Sequence, residues 1–184
     1  MTNENQVAWD EVNLPNEPVT EEDISGAESM SRAAPGKYLC VCVESNAMKR
    51  QGEGYGYISA NLKWQILKTY EIRGEAIPAE DQDKYEGIIW DDVRMEHAEE
   101  KEGWRKRRIL IAKRTGLIDS TSDEITKEMW AKGIIGKQAV LTTEDREYDD
   151  QKTGQKKVVK GVVTFSGYDY VPKEDQMSDS FDDI

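Results

Sequence analysis

Histidine and cysteine are almost missing from this chain of 184 residues: His97 is the only histidine, and Cys40 and Cys42 are the only cysteines. Three such residues cannot furnish the four-ligand sets of structural zinc, so no metal and no cofactor is expected. No nucleophile stands beside a base in any recognisable pattern, and no motif surrounds any serine, which leaves covalent catalysis without a visible seat. The two cysteines lie two apart on a predicted strand and so point the same way. That placement rarely suits a disulfide, and a reduced, structural pair is expected. Long apolar runs are missing too. None approaches the roughly 20 residues that span a bilayer, and the first residues lack the basic and apolar regions of a signal peptide. No membrane association and a cytoplasmic location are the expectations. Gly-Glu-Gly-Tyr-Gly at 52–56 lacks the Gly-Lys-Ser/Thr ending and following helix of a phosphate loop, which excludes that reading.

Charge is abundant but unevenly placed. The net charge is −12. Residues 1–34 hold eight acids and one base, and residues 172–184 hold five acids and one base. The middle, 35–171, carries 24 acids and 23 bases and is nearly neutral. The overall acidity is therefore a poor guide to what the central region binds. Three segments follow: an acidic, largely irregular N-terminal stretch over 1–34 whose apolar anchors are Trp9, Val12 and Leu14, a folded domain over 35–171, and an acidic, disordered tail over 172–184.

Within the domain, Gly36 to Leu67 carries the clearest pattern. Two runs with period two flank a Gly-rich basic stretch, which predicts a long β-hairpin. In the first run Leu39, Val41 and Val43 share a face. In the second, Ile58, Ala60, Leu62, Trp64 and Ile66 form the dry face, and Tyr57, Ser59, Asn61, Lys63 and Gln65 the wet one. After a polar connection from Lys68 to Gly87, Ile88 to Met95 predicts a third strand. From Glu99 to Leu117 the period becomes helical, with Trp104, Ile111 and Ile118 on an apolar stripe and Lys101, Arg105, Lys106, Arg107, Arg108, Lys113 and Arg114 elsewhere. Gly116 marks its end. Thr121 to Glu124 predicts the capped start of a second short helix with Ile125, Met129 and Trp130. Lys137 to Glu147 and Val158 to Tyr170 predict two further strands around a basic turn.

The resulting order, β-β-β-α-β-β, is that of the OB-fold. The expected architecture is mainly β: a five-stranded OB-fold barrel with a helical insertion between strands 3 and 4 and flexible acidic termini. Such barrels clasp a nucleic-acid strand with the loops after their first and fourth strands. The stretch Asn46 to Gly56 holds Lys49, Arg50 and Tyr55, and the stretch 148–157 holds Tyr148, Lys152, Lys156 and Lys157. Cations for phosphates beside rings for bases are what sequence-tolerant single-strand binding needs. Tyr57, Asn61 and Lys63 on the wet face would floor a groove between these loops, and Arg105 and Lys106 of the helix would add phosphate contacts. Trp64 and Trp104 are expected to be structural. Asp179, Phe181, Asp182, Asp183 and Ile184 would make the tail a docking peptide for a partner, or a competitor for the domain's own cationic groove.

With those residues in view, the chain resembles the OB-fold single-stranded-DNA-binding proteins that bacteriophages encode for replication and recombination. The matching motifs are Trp9-Asp-Glu-Val, Pro35-Gly-Lys-Tyr, Arg114-Thr-Gly-Leu, Ile135-Gly-Lys and the end Asp179-Ser-Phe-Asp-Asp-Ile. The tail departs from the bacterial relatives of that family, because it ends in Ile184 and lacks their terminal Pro-Phe. The resemblance implies a non-enzymatic protein of the host cytoplasm that coats single-stranded DNA and recruits replication or recombination proteins; a homodimer is compatible with it. Two rivals remain: an OB module that binds only proteins, and a metal-dependent nuclease using Asp91, Asp92 or Asp149.

Overall fold

The chain divides into two units, Met1–Met30 and Ser31–Ile184. A computed structural model describes residues 34–52, 55–97, 102–119, 123–150 and 152–176, with Pro18 and Thr20, and the fold set out below is that of the second unit. The N-terminal anchors Trp9, Val12 and Leu14, the cap at Thr121 and Ser122 and the tail tip 179–184 lie outside the described residues.

The unit is mainly β and antiparallel. The predicted hairpin is its backbone: β1 (Gly36–Gly52) and β2 (Tyr55–Ile72) pair from Gly36 against Ile72 to Gly52 against Tyr55. The stretch Asn46 to Gly56, expected as a loop, is thus almost entirely strand. Ala47 to Gln51 holds no turn-forming residue, so nothing in it stops the ladder. A short β3 (Glu75–Ala76) pairs back on the end of β2, and β4 (Ile88–His97) pairs with the first half of β2. Helix α1 (Glu102–Arg114) follows, then a π turn at Met129–Gly133. The second short helix therefore begins only at Lys127, later than the cap signal indicated.

Strand β5 (Gln138–Asp149) pairs with the start of β1, and β6 (Lys156–Val162) with the second half of β5. The last predicted strand is broken. A turn at Thr164–Ser166 separates β6 from β7 (Tyr168–Asp169), which returns to β5. Among the described residues there are seven strands where five were expected. Their order is β3-β2-β1-β5-β6, with β4 on β2 and β7 on β5. Among the described residues no ladder joins β4 to β6, so the sheet is open along that seam.

Three irregularities interrupt the β1–β2 ladder. Tyr70, Leu67 and Val43 are each passed over in the register, and an extra residue in a bulge switches the alternation. On β1 both faces contribute, since Leu39 is buried as well as the even-numbered residues Tyr38, Cys40 and Cys42. Tyr38, Cys40 and Cys42 join Leu62, Trp64 and Ile66 in the core, whereas Val43 is 40% exposed. Both cysteines are free and buried. The dry face of β2 is as expected from Ala60 to Ile66. Ser59 is the exception on its wet face, since it is fully buried.

Helix α1 packs on β4 and β7 and gives Ile111 and Ala112 to the core. It ends in a Schellman motif. Gly116 takes φ +73°, and the Leu117 amide donates to Ala112 O at 2.8 Å. This is the physical content of the Arg114-Thr-Gly-Leu motif. Trp64 meets Tyr168 edge to face, with ring centroids 5.7 Å apart. Among the described residues no helix is long and apolar enough to cross a membrane.

Candidate functional site

The outer face of β2 and β4 is built of cross-strand rungs. Lys63 lies opposite Trp90, Asn61 opposite Asp92 and Ser59 opposite Arg94. Side chains on one strand face recur every two residues, so Trp90, Asp92 and Arg94 follow one another along β4. Trp90 is 41% exposed, a large ring left facing solvent. Lys63 holds its ammonium 5.4 Å from the Trp90 ring centroid and 3.6 Å from the Glu44 carboxylate.

At the next rung Asn61 Nδ2 donates to Asp92 Oδ1 at 2.7 Å. Arg50 Nη2 donates to the same oxygen at 2.9 Å, with its Nε 2.8 Å from Oδ2. Beyond it, the Arg94 guanidinium lies between two rings, 4.4 Å from the Tyr57 centroid and 4.2 Å from that of Trp104. A guanidinium between aromatic faces is a cation–π sandwich, and it presents a planar, cationic edge. Trp104, expected as a purely structural residue of the helix stripe, is half-exposed and belongs to this array. The sheet and helix meet there because α1 packs across β4.

These residues open into a groove of about 460 Å³ along the seam between β4 and the β5–β6 hairpin. Tyr57, Trp90, Arg94 and Trp104 line one side; Arg146 and Thr164 line the other. Arg146 donates through Nη2 to Val162 O at 2.8 Å and to Thr164 Oγ1 at 2.9 Å, and its Nε lies 2.7 Å from Glu144. Phe165, on the turn after β6, is 58% exposed with its ring beside Gly103 of the helix.

Beneath the groove sits a buried ionic cluster. Arg107 Nη2 donates to both Asp91 oxygens at 2.8 Å, and the Tyr168 hydroxyl donates to Asp91 Oδ2 at 2.6 Å. Arg107 also donates from Nε to Thr164 O at 2.9 Å and from Nη1 to Asp92 O at 3.0 Å, tying β4 to the turn after β6. Arg107 is thus not part of a solvated basic face, as its place in the sequence suggested. Burial, and then the neighbouring Asp91 carboxylate, push the Tyr168 hydroxyl well above its ordinary pKa.

The other nominated residues are distributed more widely. Lys49 is exposed on β1, opposite Ile58; Arg105 and Lys106 are exposed on α1. Tyr148, Lys156 and Lys157, expected in a turn, are strand residues: the β5–β6 ladder runs to Asp149 against Lys156. The described turn residues are Lys152 and Thr153, and Lys152 is exposed. Lys157 lies 2.5 Å from Asp150, and that bond first, then the Lys152 amide, pulls the Asp150 carboxyl down to about 2. None of Lys152, Lys156 and Lys157 lines the groove. The side chains of Tyr55 and Tyr148 lie outside the described ones, as does the tail segment Asp179 to Ile184.

Sequence reasoning missed Trp90, Arg94, Arg146 and Phe165. Trp90 and Arg94 were legible: they stand two and six residues into a clear strand, four apart and hence on one face. Arg146 owes its place to the pairing of β5 with β6, and Phe165 to the turn that breaks the last strand, whose local signal is Ser166-Gly167.

No protein-family model matches the chain, and no curated protein matches it. Exposed rings with guanidinium and ammonium groups beside them accept planar groups and anions together. Asp91 and Asp92 are each engaged by an arginine and face opposite sides of β4. Among the described residues no group of three His, Cys, Asp or Glu side chains comes together as a metal site.

Proposed function

We propose that this chain binds single-stranded DNA along the outer face of β2 and β4, with the strand's bases stacked on Trp90 and on the Tyr57–Arg94–Trp104 array. The strand order of the five long strands supports an OB reading. Taken as first to fifth (β1, β2, β4, β5, β6), they run third-second-first-fourth-fifth across the sheet. That is the order of an OB barrel opened between its third and fifth strands, and the face of its second and third strands is where such barrels bind oligonucleotides. The carrying observation is the exposed ring of Trp90 on the same strand face as the sandwiched Arg94. Four residues of strand separate the two shelves by about 13 Å. That leaves room for one unstacked nucleotide between them.

On this reading the protein coats single strands during replication or recombination, and the acidic end from Asp179 to Ile184 recruits the proteins that act on them. Titration with oligo-dT, followed by tryptophan fluorescence, tests the first part. Quenching is expected at low salt, and Trp90→Ala should weaken binding by about 5- to 150-fold, the worth of roughly 1–3 kcal/mol for one stacked base. The absence of binding at low salt would sink the proposal.

A further inference from the structure

Between the two stacking shelves the face proposed to carry DNA holds a group that opposes it, the carboxylate of Asp92, 35% exposed. A carboxylate facing a phosphate backbone is unfavourable unless it is neutralised or has something to accept. Arg50 does the neutralising, with a hydrogen bond from Nη2 to Oδ1 and its Nε 2.8 Å from Oδ2. Accepting is what remains. Oδ1 is taken by Asn61 Nδ2 and Arg50 Nη2, whereas Oδ2 has only Arg50 beside it on the outer face. Because the Asn61 amide turns its Nδ2 to Asp92, its Oδ1 is left as a second acceptor, and among the described residues no donor is bonded to it. The rung is therefore rich in acceptors, fixed in place by two hydrogen bonds and an ion pair, and sits where a base is splayed between neighbours.

We infer that the Asn61–Asp92 rung is a base-reading subsite that selects guanine, the base whose Watson–Crick edge offers two adjacent donors, N1–H and N2–H₂. Thymine is the poorest match, since its single N–H lies between two carbonyl acceptors. Single-stranded bases are read on these edges while flanking bases stack, and carboxylates accept from base amino groups. The inference rests on the DNA-binding reading of this face and gives it a sequence preference that stacking alone does not supply.

The test compares a short oligo-dT with the same oligomer carrying one central dG, dA or dC, each titrated into the full chain at fixed salt. The dG oligomer should bind about tenfold more tightly than oligo-dT, the effect of a good pair of base-edge bonds. Asp92→Asn removes the charge and one strong acceptor. It should raise affinity for oligo-dT and bring the dG-to-dT ratio close to one. Asn61→Ala should lower the same ratio, with circular dichroism confirming that each variant is folded. Equal affinity for all four oligomers would overturn the inference and leave the DNA-binding reading standing. A loss of equal size for dG and dT oligomers in Asp92→Asn would also overturn it, because the rung would then be only a support for Arg50. If no oligomer binds, both readings fall together.

Discussion

Asp91 and Asp92 are adjacent in the chain and do different work, because neighbours on a strand face opposite sides. Asp91 points into the core, where Arg107 and Tyr168 close on it; Asp92 points out, against Arg50 and Asn61. Removing one partner of a buried ion pair leaves an uncompensated charge, a loss of about 3–5 kcal/mol, whereas a half-exposed pair contributes about 0–1 kcal/mol. Asp91→Asn should therefore lower the urea midpoint far more than Asp92→Asn, and equal shifts would contradict the assignment of the two faces. The cysteines make a second case at this scale. Burial pushes the Cys42 thiol up to about 11, against a weaker opposing backbone hydrogen bond from Glu44, and raises Cys40 further still. A thiolate is the reactive form, so a thiol reagent near neutral pH should label neither residue until the protein is unfolded. Rapid labelling of the native chain would show that the β1 face is not packed as described.

Elements were legible in the sequence wherever one rule acted alone. The alternation from Tyr57 to Ile66 gave the strand and its dry face because β2 carries no irregularity over that span. On β1 alternation alone did not choose the face: Cys40 and Cys42, which pair with Ile66 and Trp64, are buried, and Leu39 on the opposite face is buried too. Both basic loops were drawn too long, since Lys49, Arg50, Lys156 and Lys157 extend strands by pairing across the sheet, and that pairing is a tertiary fact. The root of the tail is another such fact. Pro172 to Gln176 read as solvated, but a 3₁₀ turn at Lys173–Asp175 sets Asp175 against Lys68 and Tyr70 of β2. Those two bonds, Lys68 first, hold the Asp175 carboxyl below its ordinary value. A carboxyl with a lowered native pKa contributes stability that is present at neutral pH and lost as pH falls from about 4 through the native value. The difference in urea midpoint between the wild-type chain and Asp175→Asn should be present at neutral pH and shrink over that acidic window. A difference that persists unchanged below it would mean that the turn is held by something other than this carboxylate.

At the scale of the whole molecule, a net charge of −12 has to coexist with the proposed binding of a polyanion. Uneven placement is part of the answer, since residues 35–171 carry 24 acids and 23 bases. Pairing is the other part, and it limits how much electrostatics can supply. On the proposed face Arg50 is committed to Asp92, Lys63 is near Glu44, and Arg146 is bonded to Glu144, Val162 O and Thr164. Arg107 is buried with Asp91. Few cations are left to displace counterions, so stacking on Trp90, Tyr57 and Trp104 must carry most of the affinity. The dependence of binding on salt should then be shallow. For single strands the slope of log affinity against log salt is about −0.7 per neutralised phosphate, so engagement of about two or three phosphates gives a slope near −2. Titrations of oligo-dT across a range of salt concentrations read this directly. A slope steeper than about −5 would require seven or so neutralised phosphates. In that case the exposed lysines outside the groove, Lys49, Lys152 and Lys156, would be the main contacts, and the ring-lined face of β2 and β4 would not be the principal site.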